Sequence, residues 1–303
     1  HLITADDIRL LGPERPADSH KGTFGQVLFI GGAPGMPGAA LLASEAAARS
    51  GAGLLMIAVP EAIGALVLAA RPEGLLHQLP ADPAQTSSLI SRLLERNPAV
   101  VAGPGAGLAD WLRTALPQII RKADKLVLDA DALNLMSAEP ETYFALLRNR
   151  LANGQPSAIL TPHPGEFRRL LPECSLTDRQ NAARTLAARS SCIVVLKGAS
   201  TVVALPDGTA WINPTGHNGL ARGGSGDVLA GLTAGLLAQG LAPPAAAIAG
   251  VYLHGLAADL AAANLGRRSM LPADVIASLG QAFQRAGWEN SERSTLLHGS
   301  SLS

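Results

Sequence analysis

QVLFIGGAPGMPGAALLASEAAARSG, residues 26–51, contains the change of period that decides the fold. Gln26 to Ile30 is a short apolar run stopped by Gly31 and Gly32, and the Pro/Gly turn that follows opens into an Ala/Leu/Glu stretch closed by Gly51. This is a strand, a glycine loop and a helix. The same succession returns downstream. Leu54 to Val59 reads as a strand ending at Pro60, and residues 61–70 read as a helix so apolar that burial is expected. NPAVVAGPGAG, residues 97–107, leads to a helix beginning near Leu108, and KLVLDADALN, residues 125–134, holds a strand from Leu126 to Leu128 ending in Asp129.

Ala158 to Leu160 and Ile193 to Leu196 are two further short strands. TVVALPDGTAWINPTG, residues 201–216, reads as a hairpin turned at Asp207-Gly208, and Ala/Leu-rich helices follow over roughly 226–240 and 244–263. Residues 72–91 read as the least constrained internal region, and the polar stretch from Gly287 as a flexible or vector-derived tail to 303, leaving one domain over 1–286. Strands alternating with helix-length segments build a mostly parallel sheet covered on both faces. Gly31-Gly32, Gly103-Pro104-Gly105, Asp129, Thr161-Pro162-His163 and Lys197-Gly198 each follow a candidate strand. Open α/β sheets bind their ligands at that end, so these loops are expected to converge on one crevice.

Composition narrows the partners. Charged residues make up 16% of the 303, below the roughly 25% of an average soluble domain, and 24 Lys+Arg balance 24 Asp+Glu. Such neutrality offers no general footprint for nucleic acid or an anionic membrane, while leaving room for a local anion pocket and for buried subunit contacts. Cys174 and Cys192 form neither a zinc ladder nor a disulfide framework, which points to a reducing cytoplasmic setting. No run approaches 18 strongly apolar residues, and the first residues are acidic where a secretory leader is basic.

The strongest chemical signal is NPTGHNGLARGGSGDVLAG, residues 213–231. Gly223, Gly224 and Gly226, with Ser225 among them, can present consecutive backbone N–H groups to a phosphate at a helix N-terminus. Asp227 is then out of place, because a carboxylate beside a phosphate repels it unless it handles a proton, orients a hydroxyl or works beside a cation. The competing reading is a helix cap, and both can hold together. Neither GGAPGMPG (31–38) nor GPGAG (103–107) is a Walker A loop or a dinucleotide fingerprint. Lys197 at a strand exit suits a nucleotide phosphate, or else begins a solvated turn. Thr201 offers a hydroxyl nearby, or serves only as a β-former. His163, held between two prolines, is a substrate-contact candidate, and Glu166 a helix cap or an orienting group. Asp129 and Asp131 are candidates for the cleft and for starting the next helix. His20, His77, His217 and His254 show no metal-ligand spacing, although His217 adjoins the glycine motif. No GxSxG elbow or activated cysteine supports acyl chemistry.

In order along the chain, SHKGTFGQVLFIGG, PGAALLASEAAARSGAGL, GPGAG, LDADALN, TPHPGEF, VVLKGASTVV and NPTGHNGLARGGSGDVLAG together resemble the ADP-dependent (S)-NAD(P)H-hydrate dehydratase family. The resemblance implies a ribokinase-like three-layer α/β/α sandwich without a separate lid domain. It also implies repair of hydrated NADH and NADPH with ADP as phosphoryl donor, magnesium assistance and a homo-oligomer, often a tetramer. Carried over by position, hydrated cofactor lies near Ala39, Gly105 and His163, and the nucleotide meets Lys197, Gly198, Ala199, Ser200, Thr201 and Gly226. Asp227 is the catalytic base, touching substrate, and Gly223–Gly226 the anion-stabilising loop. His217, Leu220, Arg222 and Ser225 depart from the family's usual residues. About 20 residues precede the first motif, too few for the epimerase domain some members carry, so dehydration alone is expected. The alternative on the same scaffold is a small-molecule alcohol kinase, and a noncatalytic nucleotide sensor is a third reading.

Overall fold

The structure, a computed structural model, describes residues 1–289. Nine strands form one sheet: β1 (Gln26–Ile30), β2 (Leu54–Pro60), β3 (Leu75–Leu79), β4 (Ala99–Ala102), β5 (Lys125–Leu128), β6 (Ile159–Leu160), β7 (Ile193–Leu196), β8 (Val202–Ala204) and β9 (Ala210–Ile212). Their spatial order is β3-β2-β1-β4-β5-β6-β7-β8-β9. Strands β1 to β7 pair in parallel, and the β8–β9 hairpin is antiparallel.

The pleat divides the core in two. Val27 and Phe29 of β1, with Val101, Val127 and Val195, face one layer, and Leu28, Ile30, Val100, Leu126 and Leu196 face the other. Alternation of Val, Leu and Ile without a polar face is what a parallel sheet buried on both sides requires. In chain order the helices are α1 (Ala5–Leu11), α2 (Pro37–Arg49), α3 (Glu61–Ala70), α4 (Pro83–Leu94), α5 (Asp110–Lys122), α6 (Asp131–Met136), α7 (Pro140–Ala152), α8 (Pro164–Leu170), α9 (Arg179–Ser190), α10 (Ser225–Ala238), α11 (Pro243–Leu265), α12 (Pro272–Ala277) and α13 (Leu279–Arg285). Helices α2, α10, α11, α12 and α13 cover the first face, and α4, α5, α7 and α9 the second, a three-layer ribokinase-like sandwich with no separate lid.

Helix α10 is buried along nearly its whole length, which explains why VLAGLTAGLLA lacks a polar stripe. It lies almost backbone to backbone on α2: a Cβ at Gly231 would stand 2.0 Å from the Ala43 carbonyl oxygen, and one at Gly235 would stand 1.8 Å from Ser50 Oγ. Those two glycines fix the axis of α10 and deliver its N-terminus to the C-terminal ends of the central strands. Helix α11 is long and apolar enough to cross a membrane by length and composition, but 67% of that stretch is buried inside the fold. It passes the length test because a core helix is apolar all round.

Three local expectations are corrected. Residues 72–91 are not unconstrained: they form β3 and most of α4, whose N-terminus is capped by the Asp82 carboxylate accepting from Ala84 N at 2.9 Å, with Pro83 at the first turn. β3 escaped notice because it is an edge strand with exposed Leu75. Helix α3 buries only Ile63, Gly64 and Val67, leaving Leu66 and Leu68 half exposed. The chain also stays packed past residue 286. Trp288 stacks on Phe283 at 5.5 Å and donates its indole N–H to the Ile8 carbonyl at 2.8 Å. The rest of the expected tail, from residue 290, lies outside the described residues.

Candidate active site

Every loop that was expected to carry chemistry leaves a strand at the same edge of the sheet. Between β1 and β4 the chain order reverses direction, and there the first two loops are fastened together: Gly32 N donates to the Pro104 carbonyl at 2.9 Å and Gly103 N to the Ile30 carbonyl at 3.0 Å. Gly103 lies at φ +114, and a Cβ there would stand 2.1 Å from the Asp129 carbonyl oxygen, so this crossing excludes a side chain. Ala39, at the start of α2, and Gly105 are brought into contact, since a Cβ on Gly105 would meet Ala39 Cβ at 2.6 Å. Asp131 supports this corner rather than facing the cleft. Its carboxylate accepts from Gly107 N at 2.8 Å and from Asn134 Nδ2 at 3.1 Å.

The glycine motif ends at the N-terminus of α10, with Gly224 at φ +95 as the turning residue and no side chain capping the first turn. Uncapped N–H groups and the helix dipole make this end favourable for an anion. A Cβ at Gly223 would meet nothing within 4 Å. One residue into the helix, a Cβ at Gly226 would stand 3.2 Å from Lys197 Nζ and 3.7 Å from Asp129 Oδ2. The anion loop and the part-buried lysine therefore meet at Gly226.

Lys197 is the centre of a cluster that the sequence does not display. Its ammonium donates to Asp129 Oδ1 at 2.6 Å and lies 3.9 Å from Glu166 Oε2, and both carboxylates are almost completely buried. Burial alone would pull the lysine's pKa down, but Asp129 and Glu166 outweigh it and hold the ammonium above its ordinary value. Burial raises Glu166 to about 6, opposed by Lys197 and reinforced by Asp129. Asp227, in the first turn of α10, is raised to about 7 by burial first and by the neighbouring Asp129 second, with Lys197 acting against both. A carboxylate poised near neutrality beside an anion cradle can take and return a proton at physiological pH.

His163 and Glu166 form a reciprocal cap on α8. His163 Nδ1 accepts from Gly165 N at 2.9 Å and from Glu166 N at 3.3 Å, while His163 N donates to Glu166 Oε2 at 2.8 Å. Glu166 is thus both helix cap and member of the lysine cluster. The His163 ring is half exposed at the crevice, and burial together with Lys197 and Arg169 lowers its pKa. His217 is used differently from the ligand contact considered for it. Its Nδ1 accepts from Gly219 N at 2.9 Å and caps the local turn, while its Nε2 faces the Ala258 carbonyl at 3.2 Å and ties the NPTGH loop to α11.

The turn after β7 carries Gly198 at φ +142 and Ser200 at φ +51, and Thr201 Oγ1 closes it by donating to the Gly198 carbonyl at 3.0 Å. Arg179 was missed entirely. From the start of α9 its Nη2 donates to the Leu196 and Lys197 carbonyls at 3.0 and 3.2 Å, clasping the turn from below. No motif surrounds it, so only the fold could reveal it. His254 on α11, which the sequence marks only as lacking metal-ligand spacing, is buried, its Nε2 without a hydrogen-bond partner, and lowered to about 4 by burial and by Lys197. Among the described residues no group of three or more His, Cys, Asp or Glu is placed to hold a metal ion. The oxygen donors of the lysine cluster do match the chemistry of a hard cation that keeps its waters and rides on phosphate, as Mg²⁺ does.

A switch-point crevice, an anion loop and a half-buried carboxylate on the following helix are the parts that a small-molecule phosphoryl-transfer site on a ribokinase-like scaffold requires. A ribokinase-like superfamily protein from Enterococcus faecalis matches it with a TM-score of 0.79 at 26% identity, covering 95% of this chain and 96% of that one. The family model described as NAD(P)H-hydrate dehydratase matches residues 27–281, and the chain belongs to that family. A bifunctional NAD(P)H-hydrate repair enzyme from Gloeobacter violaceus is 44% identical over 252 residues, covering 82% of this chain and 48% of the relative. The ADP-dependent (S)-NAD(P)H-hydrate dehydratase of Bacillus subtilis is 37% identical over 260 residues, 85% of this chain and 88% of the relative. The ADP/ATP-dependent NAD(P)H-hydrate dehydratase structure from B. subtilis, co-crystallised with ATP and Mg²⁺, has a TM-score of 0.77 at 32% identity and covers 94% and 98% of the two chains. The chain spans about half the length of the bifunctional relatives.

Proposed function

We propose that this chain dehydrates the S epimers of hydrated NADH and NADPH with ADP as phosphoryl donor, releasing AMP and phosphate. The observation that carries the reading is the place of Asp227, a half-buried carboxylate on the first turn of a helix whose N-terminus is an open anion cradle, raised to about 7 by desolvation and by Asp129. Family membership supports the substrate, since the family model and the B. subtilis relative are named for it.

In this account the hydroxyl oxygen of the hydrate attacks the terminal phosphorus of ADP as Asp227 takes its proton. The bond from that phosphorus to the AMP oxygen breaks, and AMP leaves with the electron pair. Backbone N–H groups of Gly223, Gly224, Ser225 and Gly226 stabilise charge on the transferred group. The ring nitrogen then donates its lone pair, the carbon–oxygen bond breaks, and inorganic phosphate departs. Loss of a proton from the adjacent ring carbon restores the dihydronicotinamide. Asp129, Glu166 and Asp227 have the oxygen chemistry that would hold Mg²⁺ through water, and the ion would supply neutralisation of the charge on the donor's phosphates.

Ala39, Gly105 and His163 fall to the hydrated cofactor in this reading, supported by the Ala39–Gly105 contact and by the exposed ring of His163 at the crevice. Lys197 through Thr201 and Gly226 fall to the nucleotide, supported by the meeting of Lys197 with Gly226. The single-domain reading is carried forward, supported by the one continuous sheet, with its end moved from 286 to include Trp288. A homo-oligomer, tetrameric as in the family resemblance, is part of the proposal. Exposed Leu66, Leu68 and Leu75 beside the sheet edge support subunit contacts. Two free cysteines suit a cytoplasmic setting.

The test is recovery of dihydronicotinamide absorbance by purified protein given hydrate, ADP and Mg²⁺. Recovery is expected only with hydrate and nucleotide together, and faster with ADP than with ATP. Recovery without nucleotide would remove the coupled mechanism. Phosphorus NMR showing a stable phosphorylated alcohol in place of phosphate and AMP would move the assignment to an alcohol kinase.

A further inference from the structure

A cavity of about 370 Å³ opens where the connection before α10 meets the connection after α11, lined by Asn218, Gly219, Ala221, Arg222, Arg267 and Arg268. The two connections are fastened to each other. Arg222 Nη2 donates to the Arg268 carbonyl at 2.8 Å, and a Cβ at Gly219 would stand 2.9 Å from the Arg267 carbonyl oxygen. Three exposed arginines therefore border one small space. Among the described residues none of the three pairs with a carboxylate, whereas Arg71 and Arg189 elsewhere each reach two. Like charges gathered without a counterion repel, and that cost is relieved when an anion enters.

The cavity adjoins the transfer machinery without belonging to it. Arg222 runs directly into Gly223 and Gly224, yet Lys197, Asp129, Glu166 and Asp227 contribute nothing to the lining. A group bound here is thus a part of a ligand that does not react. Guanidinium forks match the oxygens of a phosphate, and several of them suit a dianionic monoester better than a singly charged diester. Resting on the dehydratase reading, two sources of terminal phosphate take part in the reaction. One is the donor, whose terminal phosphate is transferred over Gly223–Gly226 beside Asp227, and whose product AMP keeps its 5′-phosphate next to that loop. The other is the 2′-phosphate that distinguishes the NADPH form from the NADH form.

We infer that Arg222, Arg267 and Arg268 form a phosphate-monoester subsite that takes the 2′-phosphate of hydrated NADPH. The pyrophosphate of the dinucleotide is the competing occupant of the same chemistry, and it is present in both forms.

The experiment compares the parent, Arg267→Ala/Arg268→Ala and Arg222→Ala on the two hydrates separately, with thermal unfolding of each preparation. For the NADPH form kcat/KM is expected to fall roughly 10–100-fold, mainly through KM, while the NADH form is unchanged. Titration with NADP⁺ and NAD⁺ gives a readout without turnover: the parent binds NADP⁺ more tightly, and the double variant loses the difference. Equal losses on both hydrates would give the cavity to the pyrophosphate and overturn the inference, as would an NADPH-form rate that does not change. Failure of the parent to convert either hydrate, with its preference for NADP⁺ retained, would defeat the dehydratase reading and leave the subsite standing.

Discussion

Arg150 and Lys197 bury cations at opposite edges of the same sheet, and their surroundings differ in kind. Arg150, on α7, is 2% exposed and donates to the carbonyls of Ile120, Ala123, Asp124 and Pro156, all just ahead of β5 and β6. Burial lowers its pKa, but a guanidinium keeps its proton throughout, and neutral carbonyls cannot exchange one. Lys197, just after β7, sits instead among Asp129, Glu166 and Asp227, two of which are raised to about 6 and about 7. One cation fastens a helix end to two strands permanently. The other lies in a set of groups whose protons can move, and the difference separates a structural charge from a chemical one.

The sharpest way to break that contrast is Asp227→Asn, which keeps the side chain's size and removes its basicity. Turnover is expected to fall roughly 10²–10⁴-fold with nucleotide binding retained. In the parent, activity should rise with pH through about 7 as the carboxylate becomes a base. Stability moves the other way. The folded chain holds the Asp227 proton more tightly than the unfolded chain, whose value is near 3.8, so its contribution is full below 3.8 and lost as pH rises through about 7. The asparagine variant has no such loss and should be the more stable protein above neutrality, by on the order of 1–3 kcal/mol. Calorimetry at acid and alkaline pH, run beside kcat, checks both halves. A folded variant with parental turnover would take Asp227 out of the chemistry.

Arg150→Met tests the structural charge. Its loss strands buried carbonyl oxygens at the end of α5 and ahead of β6, and unfolding stability is expected to drop by about 3–5 kcal/mol. Specific activity of the protein that remains folded should match the parent. Denaturant titration with an activity assay in the native baseline measures both. An Arg150→Met protein of parental stability but impaired turnover would erase the distinction between the two edges.

What the sequence made legible follows the same division. Most of the parallel strands were visible because they are short apolar runs that stop at a turn residue or a polar one, β3 with its His77 and Gln78 being the exception, and Gly223–Asp227 was visible because its glycines cluster beside an acid just before a helix. The resemblance of the ordered motifs extended that reading to substrate and donor. Arg150 and Arg179 were invisible, since each acts on carbonyls far from it in sequence and a carbonyl leaves no mark in the residue code. The dual use of Glu166 was half legible. Its spacing from His163 announces a cap, but its approach to Lys197 depends on β6 and β7 lying side by side. Helix α3 misled for a plainer reason. Its apolar residues circle the helix, while the sheet edge offers packing to only one side, leaving Leu66 and Leu68 outside.

The smallest expected effect concerns His217, a residue next to the chemical edge that is built like the structural one. Its Nδ1 accepts from Gly219 N, so the ring proton is on Nε2 and is donated to the Ala258 carbonyl at 3.2 Å. Asparagine at this position can still accept from Gly219 N, because a short amide oxygen caps the turn as well as an imidazole does. It cannot also reach Ala258, so His217→Asn forfeits one tether between the loop and α11. The expected cost is about 0.5–1.5 kcal/mol of stability, with kcat nearly unchanged. Neighbouring ties carry the remainder of the attachment: Gly216 N donates to Asp259 Oδ2 at 2.9 Å, and Thr215 Oγ1 to the Tyr252 carbonyl at 2.8 Å. Thermal unfolding and initial rates on a single preparation decide the matter. A large fall in kcat without loss of stability would place the ring in contact with ligand, and His217 would then belong with Lys197 rather than with Arg150.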